Sequence, residues 1–177
     1  MQIKRPATQK DLMRAIYQLT SKVVTINAKL QRVPYLAQLA FFYFLTYANM
    51  IFFIPIAMVL LGLGKYSLPH PKVDVFSALI VASLVETLIF QLLVFQLLNF
   101  TWLKNKPFIV FAVSSILFGL SHAYSTTYIL WASMQGVVLA LTYYFFLPNT
   151  TKAYWSTAIV HCARNATTLA LLQLFNM

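Results

Sequence analysis

Residues 79–98 read LIVASLVETLIFQLLVFQLL, an apolar run whose one charge is Glu86. Coiled as an α-helix at about 1.5 Å per residue, the run is about 30 Å long, which matches the hydrocarbon core of a bilayer. Glu86 is the only glutamate of the chain and falls near the middle of that run. Insertion scales place an acidic side chain at this depth at about +2.5 to +3.5 kcal/mol. Folding alone gives no return on that cost, so an intramembrane acid points to function.

The composition agrees with a membrane reading. Hydrophobic residues make up 60% of the chain and charged residues 9%, with a mean hydropathy of +0.75. A soluble chain of this length needs far more charge to cover its surface. The net charge of +10 raises nucleic acid as a partner, but almost all basic residues lie outside the apolar runs. They read instead as topology signals and contacts with anionic lipid, and nucleic acid is not expected. Cys162 is the only cysteine, so no internal disulfide and no cysteine-rich zinc spacing is possible.

Outward from Glu86, the chain divides into a basic arm and a membrane domain. Residues 1–33 carry Lys4, Arg5, Lys10, Arg14, Lys22, Lys29 and Arg32 against Asp11. Leu12, Ile16, Leu19, Val23, Ile26 and Leu30 recur at spacings of four and three, which predicts an amphipathic helix lying in the cytoplasmic interface. The arm is too charged for a cleaved signal peptide. Residues 34–177 form the membrane-embedded part, with five apolar runs: 35–63, kinked at Pro55; 74–102, holding Glu86; 108–124; 128–147; and 153–175. The expected fold is therefore an all-α, polytopic integral membrane helix bundle of about five transmembrane helices. Ten of the loop and arm Lys and Arg residues fall on one side, against Lys65 and Lys72 on the other. That bias places the N-terminus in the cytoplasm. Two small-residue stripes, Ser115 with Gly119 and Ala132 with Gly136 and Ala140, predict close helix packing in lipid.

Three polar clusters fall inside these runs. Glu86 and Thr87 form the first, with Gln91 one turn beyond Thr87, where a Thr–Gln hydrogen bond across the turn is expected. His122 is the second. His161, Arg164 and Asn165 are the third, and their spacings of three and four put them on one face of a helix. That face must look into the bundle, because lipid offers no partner to an arginine. Counted from the cytoplasmic ends of their runs, Glu86, His122 and Asn165 each lie about 20–24 Å deep. The three clusters are expected in one layer. Arg164 is a candidate to place positive charge near Glu86. His70, between Pro69 and Pro71, reads as a loop residue, and Cys162 as packing. A proton- or ion-coupled carrier is a poor fit, since the membrane has no second acid and the chain no repeat.

Glu86, then Phe118-xxx-His122, then His161-xxx-Asn165, in this order on successive runs, resembles the CPBP family of intramembrane proteases, which includes CAAX prenyl endopeptidases and bacteriocin-processing or self-immunity (Abi) proteins. Its motifs are EExxxR, FxxxH and HxxxN/B. The resemblance spans residues 74–177, with the motifs within 86–165. It implies an intramembrane endopeptidase acting on a membrane-associated peptide or protein, prenylated or leader-type. It further implies that Glu86 and His122 activate water and that His161 and Asn165 stabilise the oxyanion, with Thr87, Gln91, Phe118 and Arg164 in support. A metal-free mechanism is favoured, with zinc on Glu86, His122 and His161 as the alternative. Two positions depart from the first motif: Thr87 stands for its second glutamate and Gln91 for its arginine. The competing reading is accordingly a non-catalytic scaffold or self-immunity protein with the same architecture.

Overall fold

A computed structural model describes residues 27–60, 62, 74–99 and 101–174. They are helical apart from short connections, with no strand among them. The chain separates into two units, Met1–Gln38 and Leu39–Met177. In the first, a helical turn at 27–31 is closed by Gln38, whose side-chain amide donates to the carbonyls of Leu30 and Val33 at 3.1 and 2.8 Å. Most of the expected basic helix, up to residue 26, lies outside the described residues, as does His70.

In chain order the helices are α1 (Tyr35–Ala48), α2 (Ile54–Leu60), α3 (Ala82–Glu86), α4 (Val94–Asn99), α5 (Pro107–Leu120), α6 (Thr126–Phe146) and α7 (Thr150–Leu174). Widened π turns join some of them: Asn49–Phe53 links α1 to α2, Ser77–Val81 precedes α3, and Thr87–Leu93 links α3 to α4. The kink expected at Pro55 is taken up by the first of these turns. Proline has no N–H to donate, and its ring crowds the carbonyl four residues back, so widening the preceding turn relieves both defects. Gly62, at φ 61°, stands just past the end of α2, where only glycine adopts the left-handed conformation without cost.

The Glu86 helix shows why this is a membrane fold. Its buried residues are Ser83, Thr87, Gln91, Val94 and Phe95, while Val81, Val85, Leu88, Ile89, Leu93 and Leu97 face outward. Polar groups turned inward and apolar ones outward reverse the arrangement of a water-soluble helix and suit a lipid surround. A strict step of four drifts about 40° per turn around a regular α-helix. The π turn Thr87–Leu93 takes more residues per turn and holds the stripe on one face.

Among the described residues, three helical stretches are long and apolar enough to cross a membrane: Tyr35–Phe52, Leu79–Asn99 and Thr126–Phe146. The other two expected spans differ in kind. Helix α5 has 14 residues, about 21 Å, and falls short of a bilayer core of about 30 Å. Helix α7 has 25 residues and is long enough, but His161, Arg164 and Asn165 interrupt its apolar character. Helix α6 is central, with 56% of its span buried against 28% for Leu79–Asn99 and 22% for Tyr35–Phe52. It packs most extensively on α5, at the two small-residue stripes. A Cβ on Gly136 would stand 3.0 Å from the Cα of Ser115, and one on Gly119 would stand 2.7 Å from the carbonyl oxygen of Ile129. Ala132 and Ala140 are fully buried in the same seam.

Candidate active site

The shortness of α5 sets up the site. The helix ends at Leu120, so His122 lies in the turn that follows and not within a span, contrary to the reading of 108–124 as one helical run. Irregular backbone at this depth is tolerated where it lines a polar cavity. The turn is held locally. Ser121 Oγ donates to the carbonyl of Phe118 at 2.7 Å, and His122 Nδ1 lies 2.8 Å from the same oxygen. Ser125 then caps α6 by accepting from the Tyr128 N–H at 3.1 Å.

A carbonyl only accepts, so the Phe118 contact fixes the proton of a neutral His122 on Nδ1 and leaves the Nε2 lone pair free. That nitrogen faces Glu86, 3.8 Å from Oε1. From α7, His161 brings its Nε2 to 3.5 Å from the other carboxylate oxygen, Oε2. The carboxylate thus presents one oxygen to each imidazole, at distances beyond direct hydrogen bonding. Glu86 and His122 retain 23% and 19% side-chain exposure against 6% for His161, so the Glu86–His122 side is the open one. Phe118 is buried beneath, its ring centroid 4.8 Å from that of His122 and 5.6 Å from that of His161.

Asn165 completes the cluster. Its side-chain amide donates to Ser83 Oγ at 3.2 Å, one turn before Glu86 on the facing helix. The structure therefore brings Glu86, His122 and His161 together from three separate segments, with Asn165 tied to the Glu86 helix one turn away through Ser83. Ser83 and Tyr128, whose ring stacks on His122 at 6.0 Å between centroids, were not singled out from sequence. Ser83 sits three residues before Glu86, a spacing that marks one helix face; Tyr128 carries no comparable signal.

Other expected contacts are absent. Thr87 Oγ1 and both amide atoms of Gln91 are buried without a hydrogen-bond partner, so the Thr–Gln bond across the turn does not form. Arg164 makes no ion pair with Glu86, whose ion contacts among the described residues go to His122 and His161. Its guanidinium instead lies over the rings of Tyr47 and Trp131, 4.9 and 5.6 Å from their centroids, and donates to Thr168 and to the sulfur of Met50. Side chains three apart share a face but diverge at their tips, and the long Arg164 reaches α1 and α6 where the shorter His161 reaches Glu86. Cys162 is a free thiol beside an apolar groove that Ser83 and Trp155 also line. Among the described residues no group of three or more His, Cys, Asp or Glu side chains is arranged to hold a metal ion.

No curated protein and no solved structure matched the chain. Residues 69–167 match the family model described as type II CAAX prenyl endopeptidase Rce1-like, an interval that contains Glu86, Phe118, His122, His161 and Asn165 and covers more than half of the chain. This is a family of membrane proteases, and the chain belongs to it.

Proposed function

We propose that the protein hydrolyses a peptide bond of a membrane-associated protein or peptide, prenylated or leader-type, with water activated by Glu86 and His122. The observation that carries the reading is the placement of Glu86 Oε1 and His122 Nε2, two proton acceptors facing each other across 3.8 Å. A water molecule donating one proton to each directs its oxygen lone pair at a substrate carbonyl. As that oxygen bonds to the carbonyl carbon, a proton passes to Glu86, and the carbonyl oxygen takes up the negative charge. The side-chain amide of Asn165, and His161 with its proton on Nε2, supply donors for that oxyanion. Collapse breaks the C–N bond, and the proton held by Glu86 goes to the departing nitrogen, giving a new carboxyl end and a free amine.

The same acceptors perform this chemistry without a metal, and we take the mechanism to be metal-free and glutamic. The N-terminus is assigned to the cytoplasm from the excess of basic residues on that side.

A second reading is a non-catalytic scaffold or bacteriocin self-immunity protein. Thr87 and Gln91 favour it, since they occupy the positions of the motif's second glutamate and arginine and make no bond in their place. One experiment separates the readings: wild type and Glu86→Gln are compared on a panel of membrane-tethered peptides, with and without chelator. Cleavage by wild type alone supports the peptidase. Equal processing by both proteins overturns it, and loss with chelator moves the site to a metal mechanism.

A further inference from the structure

Asn99 lies about 20 Å beyond Glu86 at helical rise, and there a cavity of about 230 Å³ opens at one end of the bundle. Gln96 and Asn99 of α4, Pro107 of α5, Tyr143 of α6 and Thr150 of α7 line it. Tyr143 is fully buried, its ring centroid 4.9 Å from that of Phe95, and its hydroxyl has no partner among the described residues. A buried phenol left unbonded is unfavourable, and an acceptor held in the cavity completes it.

The electrostatics of the cavity favour an anion. Helices α5 and α7 bring their N-termini, the positive ends of their dipoles, to it at Pro107 and Thr150. Asn149 caps α7 by accepting from the Lys152 N–H, whereas Lys106 gives the first turn of α5 no side-chain cap. Lys106 directly precedes Pro107, and Lys152 follows Thr150 by two residues. Their ammonium groups lie 4.1 and 5.0 Å from the ring centroids of Trp102 and Phe146. No acidic side chain lines the cavity. Acceptors are present as well, in the amide oxygens of Gln96 and Asn99 and the last carbonyls of α4. The lining therefore suits a group that carries both anionic oxygens and hydroxyls. Trp102 and Phe108, in the adjoining segments, are exposed; aromatic side chains beside lysines mark the level of lipid headgroups.

We propose that this cavity binds the headgroup of an anionic glycerophospholipid of the phosphatidylglycerol type. The phosphate accepts from the Tyr143 hydroxyl and the first turn of α5, and the glycerol hydroxyls pair with the Gln96 and Asn99 amides. The volume is below the range of about 300–1,000 Å³ that encloses a whole small molecule, so a headgroup enters and the acyl chains stay in the bilayer. A choline headgroup is a poor fit, because its quaternary ammonium donates no hydrogen bond and meets lysines of like charge. Basic pockets between membrane helices take acidic headgroups in this way. A lipid so held joins the helix of Glu86 to α5, which leads into His122, and to α7, which carries His161. The site stands whether or not the chain cleaves peptides.

The test uses the full-length protein in dodecyl maltoside, with phosphatidylglycerol and phosphatidylcholine bearing the same fluorescent acyl tail, at constant ionic strength. Wild type is expected to bind phosphatidylglycerol about tenfold more tightly than phosphatidylcholine. Tyr143→Phe removes only an oxygen that no protein group bonds, so it is expected to fold as wild type and to bind phosphatidylglycerol roughly fivefold more weakly. Asn99→Asp puts a negative charge on the cavity wall and is expected to bring the two lipids near parity. The basic residues of the N-terminal arm attract acidic lipid equally in all three proteins, so differences between them read the cavity. Equal binding of the two lipids by wild type overturns the proposal. So does a preference that stays undiminished in either variant; if Asn99→Asp does not fold, Tyr143→Phe decides alone. Displacement of phosphatidylglycerol by millimolar inorganic phosphate would assign the cavity to the free ion and overturn the lipid.

Discussion

The imidazole of His122 donates from Nδ1 to the carbonyl of Phe118, four residues earlier, at 2.8 Å, and so turns a lone pair at Nε2 toward Glu86. One local bond thereby sets both the tautomer and the aim of the ring. Asparagine at this position keeps a donor near Nδ1 but has nothing at Nε2. His122→Asn is expected to retain thermal stability within about 1 kcal/mol and to lose roughly 10²–10⁴ in turnover, the range of a general base. Thermal unfolding in detergent and peptide cleavage check the two halves separately; an active His122→Asn removes the imidazole from the mechanism.

Asn165 has two possible duties, since its amide both ties α7 to Ser83 and lies in the catalytic layer. Loss of one oxyanion donor costs about 10²–10³ in kcat, whereas loss of one neutral hydrogen bond costs about 0.5–1.5 kcal/mol of stability. Asn165→Ala is expected to show the large kinetic loss and Ser83→Ala only the small stability loss, with turnover within about tenfold of wild type. Equal kinetic damage by the two would reduce Asn165 to a helix tie.

Gly136 sets the distance between α5 and α6. A Cβ there meets the backbone of Ser115 at 3.0 Å and the Cβ of Phe118 at 3.2 Å, and backbone cannot rotate away. Gly136→Val is expected to destabilise by about 1–3 kcal/mol, the usual cost of overpacking. It should also lower turnover, because the helix it displaces carries Phe118 and leads into His122. Val137→Leu, on the exposed side of α6, serves as the control and should change neither measurement.

Gln91 is fully buried, and both its amide atoms lack a protein partner. Replacing such a group by an apolar one of similar shape is neutral or stabilising, since an unmade buried hydrogen bond costs about 1–3 kcal/mol. Gln91→Met is expected to unfold at the same or a higher temperature with cleavage retained. A marked drop in unfolding temperature would show that the amide is bonded in the membrane.

The sequence by itself determined the membrane class, the approximate helix limits and the residues worth placing. Composition, twenty-residue apolar runs and the rarity of ionisable groups act through the cost of burying charge in lipid, which needs no knowledge of neighbours. The same economy made Glu86, His122, His161 and Asn165 stand out. The expectation of a shared depth came from counting residues along helices of fixed rise. Tertiary structure alone decided what they touch. Depth says nothing about rotation around a helix axis, and here π turns at Asn49–Phe53, Ser77–Val81 and Thr87–Leu93 change that rotation. The end of α5 at Leu120 moved His122 from a helix to a turn. The length of the Arg164 side chain sent its charge to Tyr47 and Trp131 and away from Glu86. Such choices depend on which partner lies across the interface, and residues far apart in the chain supply it.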